Sequence, residues 1–353
     1  MRRIRPRELR SAPSVTVVVP CYNYGHFLQD AVQGILDQPG VEVDVIIVDD
    51  ASIDGSRDVA ARLASSDERV TVVQHEHNMR HIATYNDGLL RATGDYVVLL
   101  SADDMLSEGS LQRSVALMEA CPEVALVYGH APTFTDVVPP STTRVRHWSV
   151  FGGDEWIDRI CARGTNIIVN PEAVLRTSVM KQLGGYDAAY PQAADMLLWM
   201  RAATLGSVGR VNGPDQAFYR VHGANMHMTD FGGHLLTETA ERRAVFDRFF
   251  ATDGASLPAR EAWADKARRS VALEALRSAI VHQDRTADGT DRSAAELAQF
   301  AVDCDPSLRD RRIWRSYERR TRGPVSRARR VSTVRLHDVR WATRWRRWRR
   351  YGT

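Results

Sequence analysis

The sequence predicts an α/β fold: a mostly parallel central sheet with helices on both faces, followed by a C-terminal helical extension. Three observations predict it. Short β-branched runs recur through the first 130 residues. The segments between them carry apolar residues at helical spacing, the alternation that builds parallel sheets. From about residue 234 only helical periodicity continues.

Residues 15–20 read Val-Thr-Val-Val-Val-Pro, a β-branched run closed by proline, as in a buried parallel strand. Phe27, Leu28, Ala31, Val32, Ile35 and Leu36 recur at helical spacing over residues 27–38. A second strand at 43–48 ends in Asp49-Asp50, and Asp54-Gly55-Ser56 opens a helix through Leu63. A strand at 70–74, a helix at 82–92 and a strand at 96–100 follow, the last ending in Ser101-Ala102-Asp103-Asp104. Residues 111–119 read as helix and 124–128 as strand. Residues 137–150, with Pro139-Pro140 and several Ser and Thr, read as an exposed loop. Residues 154–231 are mixed, with turn signals at Gly184-Gly185 and Gly213-Pro214; 234–250, 259–282 and 294–302 read as helices. The expected organisation is a basic arm at 1–13, a main domain at 14–230, a helical extension at 231–308 and an Arg/Trp-rich tail at 309–353.

Composition narrows the function classes. Hydrophobic residues make up 44% of the 353 and charged residues 26%, which is ordinary for a soluble chain. Cys21, Cys121, Cys161 and Cys304 are far apart and form no ligand spacing, which argues against a disulfide scaffold or structural zinc and for reduced thiols in the cytoplasm. The apolar runs are too short to span a bilayer, and the basic N-terminus has no apolar stretch behind it to make a secretory signal. The net charge of +3 hides an asymmetry. From Arg309 onward, seventeen arginines face three acidic residues, and the first ten residues carry five arginines and one glutamate. The body between is therefore strongly acidic, which bears on partners rather than on fold.

In a parallel sheet, ligands bind at the carboxyl ends of the strands. Three strand ends here carry polar groups: Pro20-Cys21-Tyr22-Asn23, Asp49-Asp50 and Asp103-Asp104. Carboxylates gathered on one edge repel one another unless a cation or a donor intervenes. A magnesium ion held by one or two carboxylates and by substrate phosphates is the usual arrangement. A lone Asp at a strand end more often only caps the next helix. GxGxxG and GxxxxGK[ST] are both missing, which argues against a dinucleotide-binding enzyme or a P-loop NTPase.

These strand ends belong to a longer series of motifs. Val17-Val18-Val19-Pro20-Cys21-Tyr22-Asn23, Val48-Asp49-Asp50-Ala51-Ser52-Ile53-Asp54-Gly55, Asn86-Asp87-Gly88-Leu89, Gly94-Asp95-Tyr96 and Leu100-Ser101-Ala102-Asp103-Asp104 occur in that order. Gly184-Gly185-Tyr186-Asp187, Asp195 to Arg201 and Tyr219-Arg220-Val221-His222-Gly223 follow. The series resembles the family 2 glycosyltransferases of GT-A fold, over about residues 14–228. That resemblance implies an inverting transfer of a sugar from a nucleoside diphosphate donor, with Mg²⁺ or Mn²⁺ as cofactor. It implies that Pro20 and Tyr22 line the nucleoside pocket and that Asp50 binds the base. Ser101, Ala102 and Asp103 match the family's Asp-x-Asp motif, with Asp103 as metal ligand and Ser101 replacing the first Asp. Asp195 matches the catalytic base, with Ala194 where many members carry Glu.

His222 is read either as facing the diphosphate or metal or as a loop histidine held by a backbone bond. Trp199 reads as core or acceptor-pocket wall. His75, His77 and His81 read as surface or packing residues, with no carboxylate spaced to join them. The expected acceptor is a glycan, a lipid-linked molecule or a small molecule, in cell-surface polysaccharide or glycolipid synthesis. A nucleotidyltransferase would use a similar sheet, but the loop Cys21 to His26 lacks Lys and Arg to hold a triphosphate. The tail, rich in Arg and Trp, would suit a nucleic-acid-binding protein, but the acidic body opposes nucleic acid. On a helix, Val334, Trp341, Trp345 and Trp348 share a narrow arc with arginines around it. That is the pattern of a helix at an anionic membrane surface, here the inner face, the alternative being a stripe packed on the protein's own helices.

Overall fold

The computed structural model describes residues 1–223, 225, 235–285, 292–323 and 325–352. The chain forms two compact units, Met1–Trp156 with Ile168–Met226, and Ile157–Ile167 with His227–Thr353. The expected domain boundary at 230–231 and the expected helix start at His234 lie outside the described residues.

In chain order the strands are β1 (Arg2–Ile4), β2 (Ser14–Cys21), β3 (Glu42–Asp49), β4 (Val70–Gln74), β5 (Tyr96–Leu99), β6 (Met105–Leu106), β7 (Val124–Tyr128), β8 (Thr133–Phe134), β9 (His147–Phe151), β10 (Val174–Arg176), β11 (Ser207–Asn212) and β12 (Ala217–Arg220). The helices that accompany them are α1 (Gly25–Leu36), α2 (Ser56–Ser66), α3 (His81–Arg91), α4 (Ser110–Ala120), α5 (Gly153–Arg163), α6 (Thr177–Leu183) and α7 (Ala194–Leu205). Among the described residues, nine strands form one sheet in the order β1-β9-β11-β7-β10-β5-β2-β3-β4. The block β5-β2-β3-β4 is parallel throughout. β10 is inserted antiparallel between β5 and β7, and β6, β12 and β8 make a small second sheet.

The central strand β2 explains why helices cover both faces. Alternate side chains of a strand point to opposite faces. Val15, Val17 and Val19 are fully buried in one core with Leu28, Val32 and Ile35 of α1 and with Leu111 and Val115 of α4. Val18 faces the other way, against α3. There Gly88 has no side chain because a Cβ would stand 2.3 Å from Val18 Cγ1 and 2.9 Å from Val48 Cγ2. Thr16 is fully buried on the same strand, its hydroxyl donating to Asp44 at 3.0 Å and accepting from the Gly94 N–H at 2.9 Å.

Two stretches differ from the sequence expectation. The expected loop at 137–150 ends in a strand, β9, whose Trp148, Ser149, Val150 and Phe151 are all buried and which pairs with β11. Burial on both faces removes the alternation that marks a strand, and the proline pair ahead of it resembles a loop. In the basic arm, Arg2–Ile4 pair with β9 as an edge strand.

The second unit is helical where described: Leu235–Ala251, Arg260–Arg285, Arg292–Cys304, Arg312–Thr321 and Arg327–Tyr351. Its core is rich in small residues. Ala272, Ala275 and Ala279 with Leu276 meet Leu297, Ala298 and Ala301, so the two helices approach closely. Arg320 and Asp284 form a bidentate buried pair at 2.9 and 2.8 Å, and Arg320 also donates to Thr333 at 3.0 Å, joining three helices. The tail is thus a packed element: Arg163 donates to the Gly352 carbonyl at 2.7 Å, and Arg349 to that of Ile167. No helix among the described residues is long and apolar enough to cross a membrane.

Gly88→Ala tests the contact between α3 and the sheet. Alanine favours a helix over glycine by about 1 kcal/mol, but overpacking a core typically costs about 1–3 kcal/mol. With two contacts under 3 Å, a net loss of stability is expected, read as a lower denaturant midpoint in equilibrium unfolding.

Candidate active site

Because β2, β3 and β5 are adjacent and parallel, their carboxyl ends share one edge. The loops that follow β2 and β3 are laced together. The Asp50 N–H donates to the Cys21 carbonyl at 2.9 Å, the Asn23 N–H to Ser52 Oγ at 3.0 Å, and the Ile53 N–H to Asn23 Oδ1 at 2.9 Å. Asn23 and Ala51 adopt φ of 60° and 61°, a region that Asn tolerates and Ala rarely enters. Pro20 is half-buried at the end of β2, and Tyr22 stands 45% exposed beside it.

The four strand-end carboxylates have different surroundings. Asp49 is fully buried; its Oδ2 accepts from the Ser52 N–H at 3.2 Å and from Arg57 Nε at 2.9 Å, so it closes its own loop. Asp50 accepts on Oδ1 from the Met79 N–H at 2.7 Å and lies 2.8 Å from His75 Nδ1. Asp104 is turned inward: its Oδ1 accepts from the Arg220 N–H at 2.9 Å, and burial, reinforced by the charge of Asp103, pushes its carboxyl well above the usual range. Asp103 meets two nitrogen groups. Its Oδ2 lies 3.0 Å from His222 Nε2 and 3.4 Å from Asn225 Nδ2. Ser101 is half-buried and Ala102 fully buried in the turn that delivers Asp103. Among the described residues, no three His, Cys, Asp or Glu side chains are grouped to hold a metal by themselves.

Asp195 opens α7, with its Oδ1 2.6 Å from the Met196 N–H. Two buried tyrosines, Tyr85 and Tyr186, and the half-buried Tyr219 relate it to the strand ends. Burial first, and then the charges of Asp103, Asp104 and Asp195, raise the phenols of Tyr85 and Tyr219 far above their usual value. Tyr186 is raised by burial and then by Asp195. The carboxylates that follow β5 and the one on α7 therefore act on the same phenols.

The sequence profile described as glycosyl transferase family 2 matches residues 16–184. Over that stretch the chain is similar to the members of glycosyl transferase family 2. A putative teichuronic acid biosynthesis glycosyltransferase of Bacillus subtilis, TuaG, is 38% identical over 106 residues, which are 30% of this chain and 42% of TuaG. An uncharacterized glycosyltransferase of Nostoc sp. is 27% identical over 221 residues, 61% of this chain and 67% of that one. The chain thus aligns with less than half the length of TuaG. In three dimensions, S. aureus TarS in complex with UDP-GlcNAc superposes with a TM-score of 0.51 at 14% identity, covering 84% of this chain and 92% of that one. The mannosyltransferase PcManGT from Pyrobaculum calidifontis, in complex with GDP-Man and Mn²⁺, gives 0.51 at 19% identity over 95% and 89%. At these identities the likeness establishes the fold, which is of GT-A type.

Several family 2 motif residues now have physical reasons. Asn86 exchanges two 2.8 Å hydrogen bonds with the backbone of Tyr186, and a Cβ on Gly185 would stand 2.2 Å from Asn86 Oδ1. That interlock joins α3 to the turn preceding α7. Trp199 is core, 1% exposed, and Arg201 donates to the Leu183 carbonyl at 2.7 Å. Sequence reasoning missed three residues. Arg220 lies between the rings of Phe27 and Phe134, 4.4 and 4.3 Å from their centroids, and donates to the Asp103 carbonyl at 2.8 Å. Asn225 joins Arg220, His222 and Asp103. His75 is buried between Asp50 and Asp87, whereas His77 is exposed and His81 bonds the Pro191 carbonyl at 3.1 Å. The expectation that no carboxylate is spaced with these histidines is corrected for His75: its partners come from β3 and α3, distant in sequence and invisible to local spacing.

Asp103 and Asp104 are expected to separate by mutation. A carboxamide oxygen at 104 can still accept from the Arg220 N–H, so Asp104→Asn should keep the fold and most donor binding. Asp103→Asn replaces the oxygen that faces His222 and should lose cation binding. Mn²⁺ titration of both variants, followed by the metal's electron spin resonance, checks this.

Proposed function

We propose that this chain transfers a sugar from a nucleoside diphosphate donor to an acceptor hydroxyl with inversion, in the synthesis of a cell-surface polysaccharide or glycolipid. This reading is supported by Asp50 and Asp103 following strands of one parallel block and by the similarity of residues 16–184 to glycosyl transferase family 2. The relatives' names support the setting, TuaG being a putative teichuronic acid biosynthesis glycosyltransferase. Pro20, Tyr22 and Asp50 hold the nucleoside, with Ser101 towards the diphosphate; Ala102, fully buried, contributes to the turn rather than as an exposed side chain. Asp195 takes the proton of the acceptor hydroxyl, a poor nucleophile that needs a carboxylate within hydrogen-bond reach. Attack opposite the leaving diphosphate inverts the anomeric centre.

The residues present fit a divalent cation. Asp103 offers a carboxylate and His222 an imidazole 3.0 Å from it, and a cation of this kind commonly completes its shell with substrate phosphates and water. When bound, Mg²⁺ or Mn²⁺ neutralises the charge that grows on the departing diphosphate. Arg220 holds the Asp103 backbone carbonyl, and Asn225 meets the same carboxylate oxygen as His222. Asp195→Asn is expected to lower kcat by about 10²–10⁴-fold while leaving the dissociation constant of the donor unchanged. Single-turnover kinetics with a panel of nucleotide sugars, with released diphosphate as the readout, checks this. Collapse of donor affinity would make Asp195 a donor or metal contact instead.

We also propose that the tail attaches the enzyme to the anionic inner face of a membrane, where a lipid-linked acceptor would be met. Trp341 and Trp345 stack at 6.1 Å, and they and Trp348 are half-buried on a helix that packs against Arg260–Arg285. The tryptophan stripe is therefore largely committed to the protein's own packing. Arg335, Arg346, Arg347 and Arg350 are exposed, and charge rather than tryptophan insertion is the attraction. Each such arginine contributes about 1 kcal/mol near an anionic surface. Replacing all four by Gln should weaken binding to phosphatidylserine vesicles by roughly 10³-fold, and raised salt should mimic the change. Co-sedimentation measures both; binding indifferent to salt and to the four substitutions would remove the membrane role.

A further inference from the structure

We infer that His75 is a positioning residue for the nucleobase, holding Asp50 so that the site selects bases that offer a ring N–H. This rests on the nucleoside diphosphate reading above and adds the class of base. His75 is 9% exposed, at the carboxyl end of β4. Its Nδ1 lies 2.8 Å from Asp50 Oδ1 and its Nε2 3.2 Å from Asp87 Oδ2. Asp87 Oδ1 accepts in turn from Arg91 Nε at 2.9 Å. A chain of alternating charge, Arg91, Asp87, His75 and Asp50, thus runs from the surface of α3 to the nucleoside end of the edge.

The arrangement decides what Asp50 can recognise. The hydrogen bonds of Asp50 side chain to described residues all fall on Oδ1, one from the Met79 N–H and one from His75. Oδ2 remains for a ligand, and a carboxylate oxygen accepts. Uracil and guanine offer a ring N–H at that edge. Cytosine and adenine offer a ring acceptor there, which would leave two acceptors facing each other. Such a mismatch discriminates more strongly than a lost contact, because a buried polar group is left unpaired.

The groups facing His75 come from three elements: Asp50 at the end of β3, Asp87 and Arg91 on α3, and Arg57 on α2, whose guanidinium donates to the His75 carbonyl at 2.7 Å. Burial works against a charged imidazole here, but the hydrogen bonds to Asp50 and Asp87 outweigh it and raise His75 above its usual value. The charged ring donates to both carboxylates; the neutral ring has one N–H for two acceptors. Base recognition is therefore complete below the raised value and weakens as pH rises through it.

The test is calorimetric binding of UDP, GDP, CDP and ADP, with Mg²⁺, to the full chain between pH 6 and 9. Wild type should bind UDP or GDP over CDP and ADP, with affinity falling at the alkaline end. His75→Ala should lose about tenfold to a hundredfold of that affinity and flatten both the base preference and the pH profile. Asp87→Asn, which leaves Asp50 and its donors intact, should move the alkaline fall to lower pH while keeping the affinity at pH 6. Thermal melts of each variant establish that it is folded. An unchanged preference and pH profile in both variants would overturn the role of His75 alone. A wild type that binds none of the four nucleotides would overturn the donor reading and this inference with it.

Discussion

Carboxylates crowded onto one sheet edge set the terms for the rest of this structure. A parallel sheet delivers the ends of β2, β3 and β5 together, and with them Asp49, Asp50, Asp103 and Asp104. Like charges so placed are tolerated only if each finds a compensating partner. Asp49 has Arg57, Asp50 has His75, and Asp104 has the Arg220 N–H and burial that favours its protonated form. Asp103 has His222 and Asn225, the first of which is itself a metal-ligand type. Each carboxylate's proposed role, whether structural, base-reading or cation-holding, follows from its partner.

The partners arrive by way of glycines and asparagines that permit close approach. Gly88 lets α3 settle on Val18 and Val48, which carries Asp87 to His75 and Tyr85 towards the acidic edge. Gly185 and Asn86 then fix the turn before α7, and α7 carries Asp195. Local backbone choices at Gly88, Gly185 and Asn86 thus help to place α7, which carries Asp195.

Much of this was legible in the sequence, for identifiable reasons. The strands β2, β3, β4, β5 and β7 announce themselves because they are β-branched runs bounded by turn residues, and the helices between them keep a 3.6-residue period. The strand ends were legible because sheet topology alone predicts that they converge. β9 was not, because burial on both faces erases alternation. His75 was not, because its two carboxylates lie 25 and 12 residues away and meet it only through tertiary packing. The tail's helical form was legible, but the direction of its tryptophan face was not, since an amphipathic period fits a membrane and a neighbouring helix equally well.

The central claim is that this edge is a donor site built around Asp50 and Asp103. Anomalous scattering from a crystal grown with Mn²⁺ and a nucleoside diphosphate tests it most directly. The account predicts a manganese peak coordinated by Asp103, with the diphosphate in its shell and the base against Asp50. A manganese ion and nucleotide bound together away from Asp103, or a base turned away from Asp50, would contradict it.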